Sequence, residues 1–339
     1  MIDLVVIPLL KIVIVLIGLL TAVAYAVLLE RKIQAWVQSR LGPMRVGPHG
    51  VLQPVADVIK LLLKEDITPA RADKWVYTLA PIVSVVPALI VFAVIPFGGS
   101  TEMFGRPATL VIADVNVGLL YIVSVASVGV YGIILAGYAS NSKYPLLAGL
   151  RASAQLISYE VAVTMILVSM ILMAGTLSMV GIVQAQLNAG FWYAFVQPVA
   201  LLIFFVGGLA ETNRAPFDMP EAEQELVGGF HTEYSGMRFA LFYLAEYINM
   251  IVVCAVATTL FFGGWLRPFP NIPSLWVLGY MPGWIWFVLK SFVLFYVFMW
   301  IRATLPRYRY DQLMRLGWKV LIPLAIANLI VTAAAKVLL

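Results

Sequence analysis

The chain has 339 residues, of which 62% are hydrophobic and 12% charged. A soluble domain carries about twice that share of charge, and one soluble core could not hide this much apolar surface. The composition excludes an ordinary soluble enzyme, and the formal net charge of +5 follows from basic membrane loops rather than from a nucleic-acid surface.

In chain order, the first apolar run, Leu4–Leu29, is too long for the hydrophobic region of a signal peptide. Its basic residues, Arg31 and Lys32, follow the run, so a retained membrane helix is expected despite the cleavage-like Ala22-Val23-Ala24. Spans are also expected around Trp75–Ile95, Val115–Gly137, Ala154–Ala174, Phe195–Ala210, Phe239–Phe262, Trp284–Thr304 and Val320–Leu338. The fold class is therefore an all-α integral membrane protein with about eight transmembrane helices, each near the length a bilayer core requires. The fifth span is short and weak at its ends. The whole chain, 1–339, reads as one polytopic domain.

Loops after the odd-numbered spans hold about 17 of the 22 Lys and Arg residues, which places those loops in the cytoplasm by the positive-inside rule. The first, 30–74, contains one further helix. From Gln53 to Lys64 the polar residues Gln53, Asp57, Lys60 and Lys64 fall on one stripe, with Val55, Val58, Ile59, Leu61, Leu62 and Leu63 elsewhere and Pro54 in the first turn. This predicts an amphipathic helix in the interface or against the bundle; a plain surface helix is the alternative.

Ionisable groups at membrane depth cost roughly 2.5–3.5 kcal/mol each and are functional candidates by default. Glu160 lies in the fourth span, Glu211 closes the fifth, and Glu246 lies in the sixth. The fourth span is polar on two faces, Arg151/Gln155/Ser158 and Ser153/Glu160/Thr164, so it should be buried on both sides. In the sixth, Tyr243, Glu246 and Asn249 share a face. Satisfied interhelical hydrogen bonds are the bland alternative. The loop 211–238 is acidic: Glu211, Asp218, Glu221, Glu223, Glu225 and Glu233 stand against Arg214. Carboxylates crowded near low dielectric cannot all ionise, which suits a proton store or relay. Asp218 and Glu221 also fit a capping box. The single cysteine, Cys254, and the distant His49 and His231 offer no disulfide or metal set, so no metal is expected in this chain.

Several segments resemble a known family. Glu30-Arg31-Lys32, Gln38 to Pro43, Val46 to Gly50, Gln53-Pro54 and Asp57 look like the first cytoplasmic loop of the membrane-embedded quinone-chamber subunit of NADH–quinone oxidoreductase (respiratory complex I). Ala139 to Tyr144, Gly149 to Glu160, Ala210-Glu211-Thr212-Asn213-Arg214-Ala215-Pro216-Phe217-Asp218, Ala245-Glu246-Tyr247 and Trp300 to Leu313 continue the resemblance in family order. Segments near Phe97–Asp114, Leu177–Tyr193 and Arg267–Pro282 match nothing specific.

The resemblance implies a membrane subunit that forms much of the chamber into which a quinone slides. NADH, flavin and iron–sulfur clusters would belong to partner subunits, with quinone as the substrate. It implies an acidic path through Glu160, Glu211 and Glu246, lined by Asp57, Glu221, Glu223, Glu225 and Glu233. Arg31, Arg40, Arg214 and Arg302 would face the chamber and its docking surface. No catalytic residue of its own is expected. The expected partners are peripheral-arm subunits, small membrane subunits, antiporter-like subunits and the lipid bilayer, in a bacterial inner membrane. A homologous subunit of a membrane-bound hydrogenase, or of a related dehydrogenase using another electron donor, is the near rival. A stand-alone transporter is the distant one, and it would predict an internal repeat that the sequence does not show.

Overall fold

A computed structural model of the chain describes residues 5–103, 106–218, 228–268 and 280–338. The helices are α1 (Ile7–Val37), α2 (Gln53–Leu63), α3 (Lys74–Ile90), α4 (Gly118–Ala139), α5 (Lys143–Ala174), α6 (Met179–Ala189), α7 (Tyr193–Val196), α8 (Pro198–Glu211), α9 (Gly236–Phe261), α10 (Gly283–Thr304), α11 (Tyr310–Leu316) and α12 (Ile322–Leu338). Among the described residues, seven helical segments are long and apolar enough to cross a membrane: α1, α3 with its continuation to Val94, α4, α5, α9, α10, and the joined α11–α12. The fifth expected span is α8, a shorter apolar helix of 14 residues.

At about 1.5 Å per residue α8 covers roughly 21 Å, less than a hydrocarbon core of about 30 Å. Its start is set by Pro198, which has no amide to carry the helix backwards. The preceding Gln197 is tied to α12: it donates to Thr332 Oγ1 at 2.6 Å and accepts from Asn328 Nδ2 at 2.9 Å. Its other end is wedged between α5 and α9. A Cβ on Gly207 would lie 2.3 Å from Val163 Cγ2, and one on Gly208 2.4 Å from Val253 Cγ1. Glycine at both positions lets the three backbones approach and brings Glu211 beside the acids of its two neighbours.

Elsewhere the boundaries differ from expectation in ways that matter for the site. α1 does not end at Leu29 but runs on through Glu30, Arg31 and Lys32 to Val37. α5 begins at Lys143, well before Ala154, and is 32 residues long. Two segments without a sequence reading have simple structures. Gly98–Met103 (β1) and Arg106–Leu110 (β2) pair as an antiparallel hairpin. α6 is started by Ser178, whose hydroxyl accepts the Gly181 amide at 3.2 Å. The amphipathic helix is α2, with Pro54 in its first turn and Val55, Val58, Ile59, Leu62 and Leu63 exposed.

Long-range hydrogen bonds join the loops in two sets. On the basic face, Asn141 Nδ2 donates to the Arg71 carbonyl at 3.1 Å, the Ile67 amide to Ser235 Oγ at 2.9 Å, and the Tyr308 amide to the Pro216 carbonyl at 3.1 Å. On the other face, Lys11 Nζ donates to the Val111 carbonyl at 2.9 Å and Gln186 Nε2 to the Thr259 carbonyl at 2.9 Å. There Lys290 of α10 closes the end of α9, donating to the carbonyls of Phe262 and Leu266 at 2.7 and 2.6 Å. Spans that alternate in direction require this division.

Candidate functional site

Near the basic ends of α1, α9 and α10 lies a buried cluster of charge. Its centre is Arg214, 3% exposed, in the turn that follows α8. Arg214 Nη1 is 3.8 Å from Glu30 Oε1, and Nη2 is 3.3 Å from Glu246 Oε2. The guanidinium also stands over the Tyr247 ring, 4.4 Å from its centroid. Arg302, in the last turn of α10, binds the same Glu30 oxygen. The Tyr247 hydroxyl donates to Glu30 Oε2 at 2.8 Å. So many donors around one carboxylate compensate a charge that burial would otherwise leave unpaired.

A second centre adjoins the first. A small cavity of about 50 Å³ gathers on its wall Glu160 of α5, Glu211 of α8, Glu246 and Asn249 of α9, Ser84 of α3 and Ser127 of α4. Thr212 and Asn213 stand beside Glu211, and apolar residues including Leu156, Phe230 and Phe242 complete the wall. It has room for water, and the water would find several polar partners. Ser127 donates to Glu160 across the α4–α5 interface. Glu246 belongs to both centres, with one oxygen facing Arg214 and its side chain on the cavity wall.

The three membrane acids expected from sequence are thus brought together, joined by Asn249 from the expected face of the sixth span. On the two polar faces of α5, Gln155, Ser158 and Ser153 are buried, while Arg151, Glu160 and Thr164 are half-buried. Gln155, fully buried, donates to the carbonyls of Ala210 and Phe217 at 2.8 and 2.9 Å, while Glu160 faces α4 on the other side. Tyr243 instead packs against the His231 ring at 5.9 Å. His231 also meets Phe230 and Phe239, and burial among these rings holds its imidazole well below its usual value, at about 4.

Other expected residues lie apart from the cavity. Asp57 of α2 accepts from Arg31 of α1 at 2.7 Å and from Gln53, one turn back on α2, at 2.9 Å. Glu233 sits beside the start of α3, where its backbone carbonyl accepts from the Tyr77 hydroxyl at 2.7 Å. Arg40 donates to Gln38 at 2.7 Å in an exposed turn. Asp218 is held by Arg307 at 2.7 Å. Glu221, Glu223 and Glu225 lie outside the described residues, as does the second half of the expected capping box.

A large apolar cleft of about 910 Å³ runs along α1. It follows one stripe of that helix from Lys11 through Gly18, Ala22 and Ala26 to Leu29 and Lys32. Phe287, Phe292 and Phe295 of α10 and Cys254 of α9 form the opposite wall. Its far end flanks Glu30 in sequence.

Glu30 is the residue that reading the sequence misses as a site. It follows the apolar run and reads as the first residue of a loop. A helical pattern finds it: Leu19, Val23, Ala26, Glu30 and Ile33 share one buried face of α1. Ser127 gives no comparable sign, since lone serines are common in membrane helices.

The fold and these centres define a polytopic membrane subunit with acids at membrane depth and an apolar cleft beside them. The family model for NADH dehydrogenase matches residues 10–333. An H-type subunit of the NADH-quinone oxidoreductase of Geobacter sulfurreducens is 54% identical over 95% of this chain and 92% of that protein. The H-type subunit of the Protochlamydia amoebophila enzyme is 53% identical over 92% of each chain. The chain belongs to the family of H-type membrane subunits of NADH–quinone oxidoreductase.

Proposed function

We propose that the chain works as the membrane subunit of a proton-translocating NADH–quinone oxidoreductase, forming part of the quinone-access chamber and the acidic path that couples quinone reduction to proton movement. The observation that supports this best is the meeting of Glu160, Glu211 and Glu246 on one cavity wall, next to the Glu30–Arg214–Arg302 cluster. Relatives named as NADH-quinone oxidoreductase subunits favour this reading over a hydrogenase subunit or a lone transporter.

The residues fit a lipid-soluble quinone. The cleft along α1 is lined almost wholly by apolar side chains, which suits an isoprenoid tail and excludes water. The electrons come from NADH through flavin and iron–sulfur cofactors in partner subunits, which supply the redox chemistry. This chain's own residues hold and move protons. Arg214 fixes charge at one end of the acid series, and Glu211 and Glu160 take up or release a proton at the other. A change of charge near Glu30 would alter the field at Glu246 through Arg214, and hence the protonation of the cavity acids. The exposed apolar side of α2 and the basic loops face partner subunits and lipid. The compartment is a bacterial inner membrane, with the basic loops in the cytoplasm.

Glu211 is the decisive test. Glu211→Gln keeps size and hydrogen bonding but removes titration. The assembled complex carrying it is expected to lose most coupled NADH–quinone turnover and proton pumping, and Glu211→Asp is expected to lose less. Parental rates of both in an assembled Glu211→Gln complex would make Glu211 a structural helix-end residue only.

A further inference from the structure

The Ser127 hydroxyl has one proton and two acceptors. Its Oγ is 2.9 Å from the Val123 carbonyl one turn back on α4, and it also meets Glu160 Oε1 across the interface. A hydroxyl can serve only one acceptor at a time, but it can accept while it donates. When Glu160 is ionised, the Ser127 proton points to the carboxylate in a charge-assisted bond. When Glu160 is protonated, its O–H can donate to Ser127 Oγ, and the Ser127 proton turns back to Val123. Both states are satisfied with no movement of either helix.

We infer that Ser127 is a positioning residue for Glu160: it holds the carboxyl in the cavity in either protonation state and eases release of the proton. This rests on the reading of Glu160 as part of the proton path. Among the described residues, the other titratable groups facing the cavity are Glu211 from α8 and Glu246 from α9, the latter paired with Arg214. From α3 and α4 come only the hydroxyls of Ser84 and Ser127, so no cation on those helices balances Glu160 there. The approach of α3 is close: a Cβ on Gly132 of α4 would lie 2.1 Å from Ser84 Oγ. Ser127 is thus the donor aimed at Glu160 from a wall that is otherwise neutral, and its loss should favour the protonated carboxyl.

The experiment uses the intact complex containing parent, Ser127→Ala, Ser127→Cys or Ser127→Thr chains. The protonated-carboxyl stretch of Glu160, identified by its loss in Glu160→Gln, is followed by infrared difference spectroscopy against pH. Ser127→Ala is expected to move its midpoint upward by about one pH unit, since a hydrogen bond to the charged form is lost. Ser127→Cys, a weaker donor, should move it less, and Ser127→Thr should leave it near the parent. If the midpoint stays at the parental value in both Ser127→Ala and Ser127→Cys, or if Ser127→Thr shifts it as far as Ser127→Ala does, the inference is overturned. Glu160→Gln pumping at the parental rate would instead remove the proton-path reading, while leaving the spectroscopic coupling to stand or fall by itself.

Discussion

Two neighbouring carboxylate settings in this protein solve opposite problems. In the cluster at the end of α1, Glu30 is held by Arg302 and Tyr247, with Arg214 at 3.8 Å, and burial leaves it 5% exposed. In the cavity, Glu160 meets a serine hydroxyl and shares a wall with Glu211. A buried acid with cations around it binds elements together as an ion pair. A buried acid with neutral and acidic neighbours can change its protonation. Glu246 stands between the two and links them. The contrast separates an acid compensated by cations from acids that share a cavity with hydroxyls and with one another.

The largest expected effect comes from breaking the cationic cluster. Glu30→Gln leaves Arg214 and Arg302 without their shared anion, and removal of one partner from a buried ion pair costs about 3–5 kcal/mol. The complex should then be scarce in native gels. Normal assembly of Glu30→Gln would erase the distinction drawn above, because it would make Glu30 as replaceable as a cavity acid. The Glu211→Gln complex should behave in the opposite way, assembled but uncoupled.

A middle effect probes the neutral wall of the cavity. Gly132→Ala places a methyl group against Ser84 and the backbone of α3. The strain of overpacking is expected to be about 1–3 kcal/mol. The change should lower thermal stability of the complex and reduce coupled turnover together. An unchanged melting temperature would show that α3 and α4 separate there without cost.

His231 supplies a third setting, a titratable group among rings. Its folded-state value of about 4 lies below the ordinary 6.5. The unfolded chain therefore binds more protons between those values, and stability should fall as pH drops from about 6.5 towards about 4. His231→Phe should flatten that part of the acid dependence in thermal unfolding. A profile identical to the parent would show that other groups carry it.

The smallest effect on the chain itself concerns Arg309. Its pair with Asp311 at 2.6 Å has an arginine side chain 75% exposed, and solvent screens such a pair so that it adds little stability. Arg302 and Arg307 pair with Glu30 and Asp218 of their own chain. Arg309→Ala should leave thermal stability nearly unchanged. A marked drop in assembled complex would assign it to the interface with the peripheral subunits, and normal assembly would leave docking to other residues.

Much of this was legible in the order of residues. Long apolar runs dictate membrane helices wherever they occur, because an unpaired backbone is too costly in lipid. Spacing alone predicted α2, the two polar faces of α5, and the shared face of Glu246 and Asn249. The family motifs marked the acids. What remained hidden depended on distance in space. Glu30 looks like a loop residue until α1 is seen to continue to Val37 and to meet Arg302, which is 272 positions away in the chain. Ser127 and Glu160 are 33 positions apart on different helices, and only the packing of α4 on α5 makes them partners. The glycines of α8 decided where Glu211 came to rest, because their missing side chains let three helices close around it. Hydropathy is a local property and is written residue by residue. The pairing of buried charges is a property of the folded bundle, where a low dielectric makes each carboxylate answer to whichever neighbour the packing supplies.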